Sequence, residues 1–419
     1  MSHHHFAIVG CGTAGLSAGI MLARLGHRVT LFERFAQPQA RGAGLLIQPS
    51  GIEVLDRMQM LPAVAGRATR IEALDGRRRD GLRVMDVRYS DLGSGAYGLG
   101  VHRGNLLAVL HAEALATGVE IELEAEVESF GDPGARQLQL ELADGRRLGG
   151  FDGLIIANGT QSRLRAQLAV KQQIRPYPWG ALWHISPSPF DQPAALLQRY
   201  DAARIMVGLM PSGLQPGTEQ PCRSFFWSLK VSDYPAWQAT DLNVWKQQVI
   251  DCWPDTGTAL AHIETHEQLP MAMYADVRMR QWHQGRVVVI GDAAHGMSPQ
   301  LGQGANLALV DGWELAAAVQ RESGLAEAFA RYSAVRRRHL RFYQLASRML
   351  TPLFQSDRAG YAVWRDACFR LANQLPLSRR EALRTVAGLK TGLLFDRQLA
   401  LSNLTLNGAE LAATGVQAA

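Results

Sequence analysis

Short apolar runs alternate with one-sided helical runs from the start of the chain. Phe6 to Val9 reads as a strand, the next residues place Leu16, Ile20 and Ala23 on one face of a helix, and Arg28 to Phe32 reads as a second strand. The same signals recur in pieces further on. Gly42 to Ile47 is a strand, Leu106 to Leu115 an amphipathic helix, and a strand-like run follows Ile121. Val287 to Ile290 is an apolar strand that leads to a helical stretch from about Gly304. Strands alternating with helices predict a mostly parallel, Rossmann-like sheet covered by helices. Residues 73–100 and 176–275 lack that alternation and hold turns such as Ser186-Pro187-Ser188-Pro189, which predicts an antiparallel sheet inserted into the first unit. The expected organisation is one discontinuous domain over 1–72, 101–175 and 276–345, an inserted domain over 73–100 and 176–275, and a helical C-terminal region over 346–419. In that last region Leu345, Met349 and Leu353 recur a helical turn apart at its start, and the end after Leu404 is loosely Ala-rich.

Two glycine-rich segments carry the chemistry. Gly10-Cys11-Gly12-Thr13-Ala14-Gly15 sits between the first strand and its helix. Gly10 permits the tight turn, Gly12 lets backbone approach a pyrophosphate, and Gly15 lets helix and strand pack closely. Glu33, at the end of the second strand, stands where an acid accepts from ribose hydroxyls. The second segment, Gly291 to Asn306, reads GDAAHGMSPQLGQGAN. A Gly-Asp pair at a strand end places a carboxylate for sugar hydroxyls, and the following glycines let backbone amides and a helix N-terminus approach a flat ring. A flavin, anionic when reduced, suits that build.

Together these residues resemble the FAD-dependent aromatic hydroxylase family, the single-component monooxygenases related to p-hydroxybenzoate hydroxylase, including the ubiquinone-pathway and salicylate hydroxylase branches. Gly10 to Arg34, Arg41-Gly42-Ala43-Gly44, His102-Arg103 with Leu106 and Leu110, Asp152 to Gly159 with Ser162 and Arg165, and Gly291 to Asn306 carry the likeness. It implies bound FAD, reduction by NADH or NADPH, and an O2-derived flavin C4a-hydroperoxide that hydroxylates or epoxidises an aromatic or quinone-like apolar molecule. By the same resemblance, Gly10, Gly12, Ala14, Gly15, Glu33 and Arg34 border the adenosine and pyrophosphate, and Val127 touches the adenine. Arg41 and Arg103 lie along the phosphates and ribityl chain, Asp292 holds the ribityl hydroxyls, and Pro299, Gly302, Gln303, Gly304, Ala305 and Asn306 border the isoalloxazine. The sequence departs from the family at Asn158, where Asp is usual; the amide is nearly isosteric but uncharged. The family links that position to FAD and the pyridine nucleotide, so reduction is the step expected to differ. A reductase, oxidase or halogenase-type flavoenzyme, or a non-catalytic FAD protein, is the alternative reading. The WxWxIP run of the halogenases is missing, since Ser228-Leu229-Lys230 follows Trp227.

No catalytic base is marked. His102, His184 and Tyr97 are conceivable, and Gln48 stands where it could face flavin or substrate. Six of the nine tryptophans, Trp179, Trp183, Trp227, Trp237, Trp245 and Trp253, fall in the inserted stretch, as an aromatic pocket wall or as sheet core.

Composition adds three restrictions. Four cysteines without CxxC or metal spacing favour reduced thiols and no metal. No apolar run reaches the ~20 residues that span a bilayer. The expectation is therefore a cytoplasmic protein, monomeric or homodimeric, with no nucleic-acid motif. The charge is uneven: residues 331–390 hold 13 Lys+Arg against 3 Asp+Glu in a chain of net charge +5. A basic helical tail of this kind either packs as a solvated face on its own domain or rests peripherally on the inner membrane.

Overall fold

The computed structural model describes residues 3–37, 44–189, 191–393, 398–406 and 409–410. Its first layer is a six-stranded sheet in the order His283–Gln284, Val287–Val289, Gly153–Ile156, His5–Val9, Arg28–Phe32, Glu120–Glu122. All neighbours run parallel except the antiparallel edge pair formed by His283–Gln284. Phe6, Ile8, Leu31, Leu154, Ile156 and Val287 are buried, as parallel strands covered on both faces require.

The helix Thr13–Arg24 packs against the helix Gly304–Arg321, whose residues 306–319 are all buried. A helix enclosed on every side must be apolar nearly all round, and this one is. The two helices approach closely at Gly312, where an added Cβ would lie 2.3 Å from Ser17 Oγ.

The second layer is a seven-stranded sheet in the order Met271–Met279, Gln172–Pro187, Pro221–Lys230, Ile205–Leu214, Ala195–Asp201, Ala73–Arg78, Arg83–Arg88. It is antiparallel apart from the parallel pair Ala195–Asp201 and Ala73–Arg78. Trp227, Trp237, Trp245 and Trp253 cluster on one face with Leu182, Val207 and Phe225. Those four are core, Trp227 from the sheet and the other three from the helical segment packed on it, whereas Trp183 lies on the opposite face against Phe226. A small sheet, Gly44–Ile47, Gly98–His102 and Ala68–Ile71, joins the layers. The Gly44 N–H donates to Ser224 Oγ at 2.8 Å, and an added Cβ on Gly100 would meet Pro211 O at 1.9 Å.

The 30-residue helix Leu325–Phe354 spans both layers. Its buried stripe runs through Phe329, Tyr332, Arg336, Leu340, Tyr343, Ser347 and Thr351. Leu345 and Met349 therefore point outward, and only Leu353 of the three apolar residues expected to share a face is buried. A stripe spaced by three and four residues drifts away from strict i, i+4 positions. The helices Ala359–Gln374 and Pro376–Val386 follow. No described helix is long and apolar enough to cross a membrane.

Buried charge fastens these parts. Asp311 Oδ2 accepts from the Gly291 N–H at 2.8 Å and lies 2.6 Å from His295 Nε2, while Oδ1 accepts from Arg336 Nε at 2.8 Å. Arg336 donates to His339 Nδ1, so Nε2 of the neutral ring donates to Gly388 O at 2.9 Å. Burial alone would raise the Asp311 carboxyl, but His295 and Arg336 outweigh it and hold the group well below the usual carboxylate range. Burial, and secondly Arg336, pushes His339 down to about 3.

Asp311→Ala strands Arg336 without its anion, and a loss of about 3–5 kcal/mol is expected in urea unfolding. His339 stays neutral when folded but takes a proton once unfolded below its ordinary value of 6.5. Its contribution is complete above that value and shrinks as pH falls toward about 3. Urea midpoints measured at pH 7, about 6 and about 5 should fall, and His339→Asn should flatten that slope.

Candidate active site

Parallel strands put their carboxyl-end loops along one edge of the sheet, which is where ligands bind in this architecture. Gly10 turns there with φ +111°, and an added Cβ would lie 2.7 Å from Ala157 O. On Gly15 a Cβ would lie 2.0 Å from Gly10 O. Neither position admits a larger residue. Gly12 differs: nothing described comes within 4 Å of its Cβ position, so space opens before the helix that follows. That helix has no side-chain cap, which leaves its first N–H groups to the open space.

Glu33 flanks this turn. Its carboxylate accepts from the Cys11 N–H at 2.9 Å and the Phe35 N–H at 3.2 Å. Burial, and then Glu33, pushes the Cys11 thiol up to about 12, so it stays protonated. Arg34 is exposed with its guanidinium over the Phe35 ring. The Val127 side chain is core, although its strand follows the backbone ladder that joins Ala125 to Glu33. Arg103 opens the helix Arg103–Ala116, and His102 Nδ1 caps it by accepting from the Gly104 N–H at 2.9 Å. Arg41 lies outside the described residues.

The second glycine segment meets the first directly. Gly291 has φ +61°, and its Cβ would lie 2.7 Å from that of Ala14. Asp292 is exposed, with Oδ1 3.8 Å from the Cβ position of Gly304. Pro299 starts a short turn ending at Gly302, which is left-handed at φ +60°. The helix from Gly304 again has no side-chain cap.

Gly302 and Gly304 are exposed, Ala305 is half-buried, and the Gln303 and Asn306 side chains turn inward. Asn306 Oδ1 accepts from the Gln48 N–H at 2.8 Å, and its Nδ2 donates to Leu46 O and Gly302 O. Gln303 Nε2 donates to Val386 O at 2.6 Å. These two side chains clamp neighbouring segments, leaving backbone to face a ligand.

The middle segment supplies the third wall. Asp152 accepts from the His5 N–H at the opposite end of the strands. Asn158 is exposed, and its Cα lies 2.9 Å from the Cβ position of Gly10. Buried Arg165 donates to Ala293 O at 2.6 Å and Thr160 O at 3.0 Å, tying this loop to the Asp292 loop.

Two uncapped helix N-termini, each preceded by an open glycine, suit a ligand with a pyrophosphate at one end and an electron-rich ring at the other. FAD fits that demand, and Glu33 and Asp292 are the carboxylates that could accept from its ribose and ribityl hydroxyls. Among the described residues no group of three His, Cys, Asp or Glu side chains could hold a metal.

Sequence reading missed one pair. Tyr89 Oη donates to Gln48 Oε1, and both residues are buried. Gln48 Nε2 then has no partner among the described residues, and it stands 4.0 Å from the Cβ position of Gly302. A buried donor without a protein partner beside the ring-side turn is a candidate group for flavin or substrate. Nothing in the local sequence links Tyr89 to Gln48, which lies 41 residues earlier, between the strand Gly44–Ile47 and the helix Pro49–Arg57. Of the other conceivable groups, His184 bonds to Gln268 O and Tyr97 stacks beneath Arg70.

Comparison with known proteins agrees with this geometry. The FAD binding domain family matches residues 4–344. The chain is 29% identical to the aurachin C monooxygenase/isomerase of Stigmatella aurantiaca, over 85% of this chain and 91% of that protein. It is 28% identical to a probable 2-heptyl-3-hydroxy-4(1H)-quinolone synthase of Rhodococcus erythropolis, over 94% of both chains. The fold resembles that of 2-methyl-3-hydroxypyridine-5-carboxylic acid oxygenase, with TM-score 0.73, 23% identity, and 92% and 97% of the two chains covered.

Glu33→Gln removes the charge that organises the glycine turn. FAD affinity of the apoprotein, read from flavin fluorescence on titration, is expected to weaken about tenfold or more, the worth of one charge-assisted hydrogen bond.

Proposed function

The chain belongs to the FAD binding domain family of flavoprotein monooxygenases, and from that premise we propose that it hydroxylates or epoxidises an aromatic or quinone-like apolar small molecule, using NADH or NADPH and O2 through a flavin C4a-hydroperoxide. One oxygen atom enters the product, the other leaves as water, and the nicotinamide supplies two electrons. Bound FAD supplies the passage of those electrons and the activation of O2.

The chain's own residues would position and shield. The N-terminus of the helix Gly304–Arg321 would favour negative charge on the reduced ring. Asp292 and Glu33 would anchor the cofactor's hydroxyls, and the second sheet would keep water from the reacting atoms. Asn158, neutral beside the Gly10 turn, would set how the nicotinamide is received, without the charge that Asp brings.

The observation that carries the substrate class is the Gln48 amide. Its single unpartnered donor sits beside a wall of Leu46, Tyr89 and Met210, against which Leu196 and Val386 pack. Such a wall suits a flat apolar ring bearing one carbonyl or phenolic oxygen. The likeness to an enzyme named for a heptyl-hydroxyquinolone supports the same class.

The test follows oxidation of NADH and NADPH by the FAD-loaded protein with phenols, quinones and alkylated quinolones under isotopically labelled O2. Substrate-stimulated oxidation with one labelled oxygen in the product is expected. Failure of both nucleotides to reduce the flavin overturns the proposal, and peroxide without oxygenated product points to an oxidase. Gln48→Leu should raise KM for the accepted substrate about tenfold while kcat changes less, since it removes one buried hydrogen bond. Asn158→Asp should speed flavin reduction in stopped flow.

A further inference from the structure

The C-terminal helices carry an apolar face that no described residue covers. On Ala359–Gln374 the residues Val363, Trp364, Ala367, Arg370, Leu371 and Gln374 are all exposed, while Ala362 and Arg365 are buried behind them. At 100° per residue those six positions fall within one arc of the helix. Val363 is 71%, Trp364 57% and Leu371 60% exposed. Leu375 and Leu377 extend the apolar stripe across the junction to Pro376–Val386. Large apolar side chains in one exposed stripe mark an interaction surface rather than scattered surface residues.

The charges around the stripe identify the partner. Arg358, Arg370, Arg379 and Arg380 are exposed. The nearby acids are already engaged: Asp357 with Arg204 and Lys230, Asp366 with Arg365 and Arg78, and Glu381 with Arg384 and Lys390. Arg379 pairs with Asp91 at 2.9 Å, whereas no ion pair is described for Arg370 or Arg380. The face is thus apolar with a net positive rim. Two copies packed through it would oppose like charges, while an anionic lipid surface would neutralise them.

We propose that this face docks on an anionic membrane surface. Val363, Trp364, Leu371 and Leu377 enter the layer beneath the headgroups, and Arg370 and Arg380 meet lipid phosphates. From Val363 to Gln374 the helix is about 17 Å long, which suits a helix lying in the interface plane and not one that crosses. An enzyme held this way would meet an apolar substrate already dissolved in the lipid.

Trp364 provides the readout, because it is the one exposed residue among the nine tryptophans. The FAD-loaded full chain is mixed with phosphatidylcholine vesicles, or with vesicles about one-third phosphatidylglycerol, each with brominated acyl chains. Expected are co-sedimentation at least tenfold stronger on the anionic vesicles, weakening with added salt, and quenching of tryptophan fluorescence that Trp364→Phe abolishes. Trp364→Glu with Leu371→Glu should lose binding while the flavin spectrum is unchanged. If that pair folds poorly, Arg370→Glu with Arg380→Glu should lose binding alone. The proposal is overturned if neither vesicle binds at low salt, or if the variants bind as well as the parent. It is equally overturned if the face instead forms a dimer that Trp364→Glu dissolves.

Discussion

A carboxylate shut away from water stands where the two glycine segments and the C-terminal helices meet. Asp311 holds the Gly291 N–H and thereby fixes the left-handed turn that presents Asp292. Through Arg336 and His339 it reaches Gly388 O, whose segment lies over Ser50 and Gln303. Its neighbour Gly312 lets the helix Gly304–Arg321 approach Ser17 on the helix Thr13–Arg24. One turn of one helix therefore sets both the distance between the two uncapped helix ends and the pose of the loop between them. A buried charge that costs desolvation is tolerable only with full pairing, and here both carboxylate oxygens are engaged.

That arrangement explains why the motifs stood out while their supports did not. Gly10, Gly15 and Gly291 are legible because each does something only glycine can do, either a positive φ or an approach too close for a Cβ, whereas Gly12 is legible by its place in the motif and leaves open space. Glu33 and Asp292 are legible by position, at the ends of apolar strands. Asp311, Arg336 and His339 sit on helices where a charged residue reads as solvent-facing, and only long-range packing makes them internal. Gln48 and Tyr89 each sit just past the end of a strand, in two different sheets, so no local period marks the pair. The tryptophans were ambiguous for a related reason: Trp183 and Trp227 sit on strands with two faces, while Trp237 and Trp245 belong to short helices, and sequence alone does not say which sheet face those helices cover.

The inward turn of Gln303 and Asn306 sharpens the reading of the GQGAN run. Side chains in such a run are easily taken as ligands, yet both ends of the Asn306 amide and the nitrogen of the Gln303 amide are spent on the protein's own backbone. What remains toward the ligand is main chain: the exposed Gly302 and Gly304 and the first N–H groups of a helix. Main-chain donors are indifferent to residue identity so long as the backbone shape is kept, which is why the glycines carry the motif.

Gln303 also ties the ring-side turn to residues beyond 344, where the family match ends. Its amide donates to Val386 O, and Ala387 O accepts from the Ser50 N–H. Val386 and Leu383 join the apolar cluster of Leu46, Tyr89 and Met210. The helix that closes this wall is the continuation of the one that bears Trp364 and Leu371 on its outer side. Inner and outer faces of the same short helical unit thus play different parts. The inner face shapes the apolar surroundings of Gln48, and the outer one is left to solvent with its arginines. Because Asn373 donates to Val84 O and Arg379 pairs with Asp91, the unit is fixed to the seven-stranded sheet and to the turn that follows its last strand. The same unit is thus in contact, through Val84, with the strand that carries Val84 and Val87 and leads into Tyr89, the partner of the Gln48 amide.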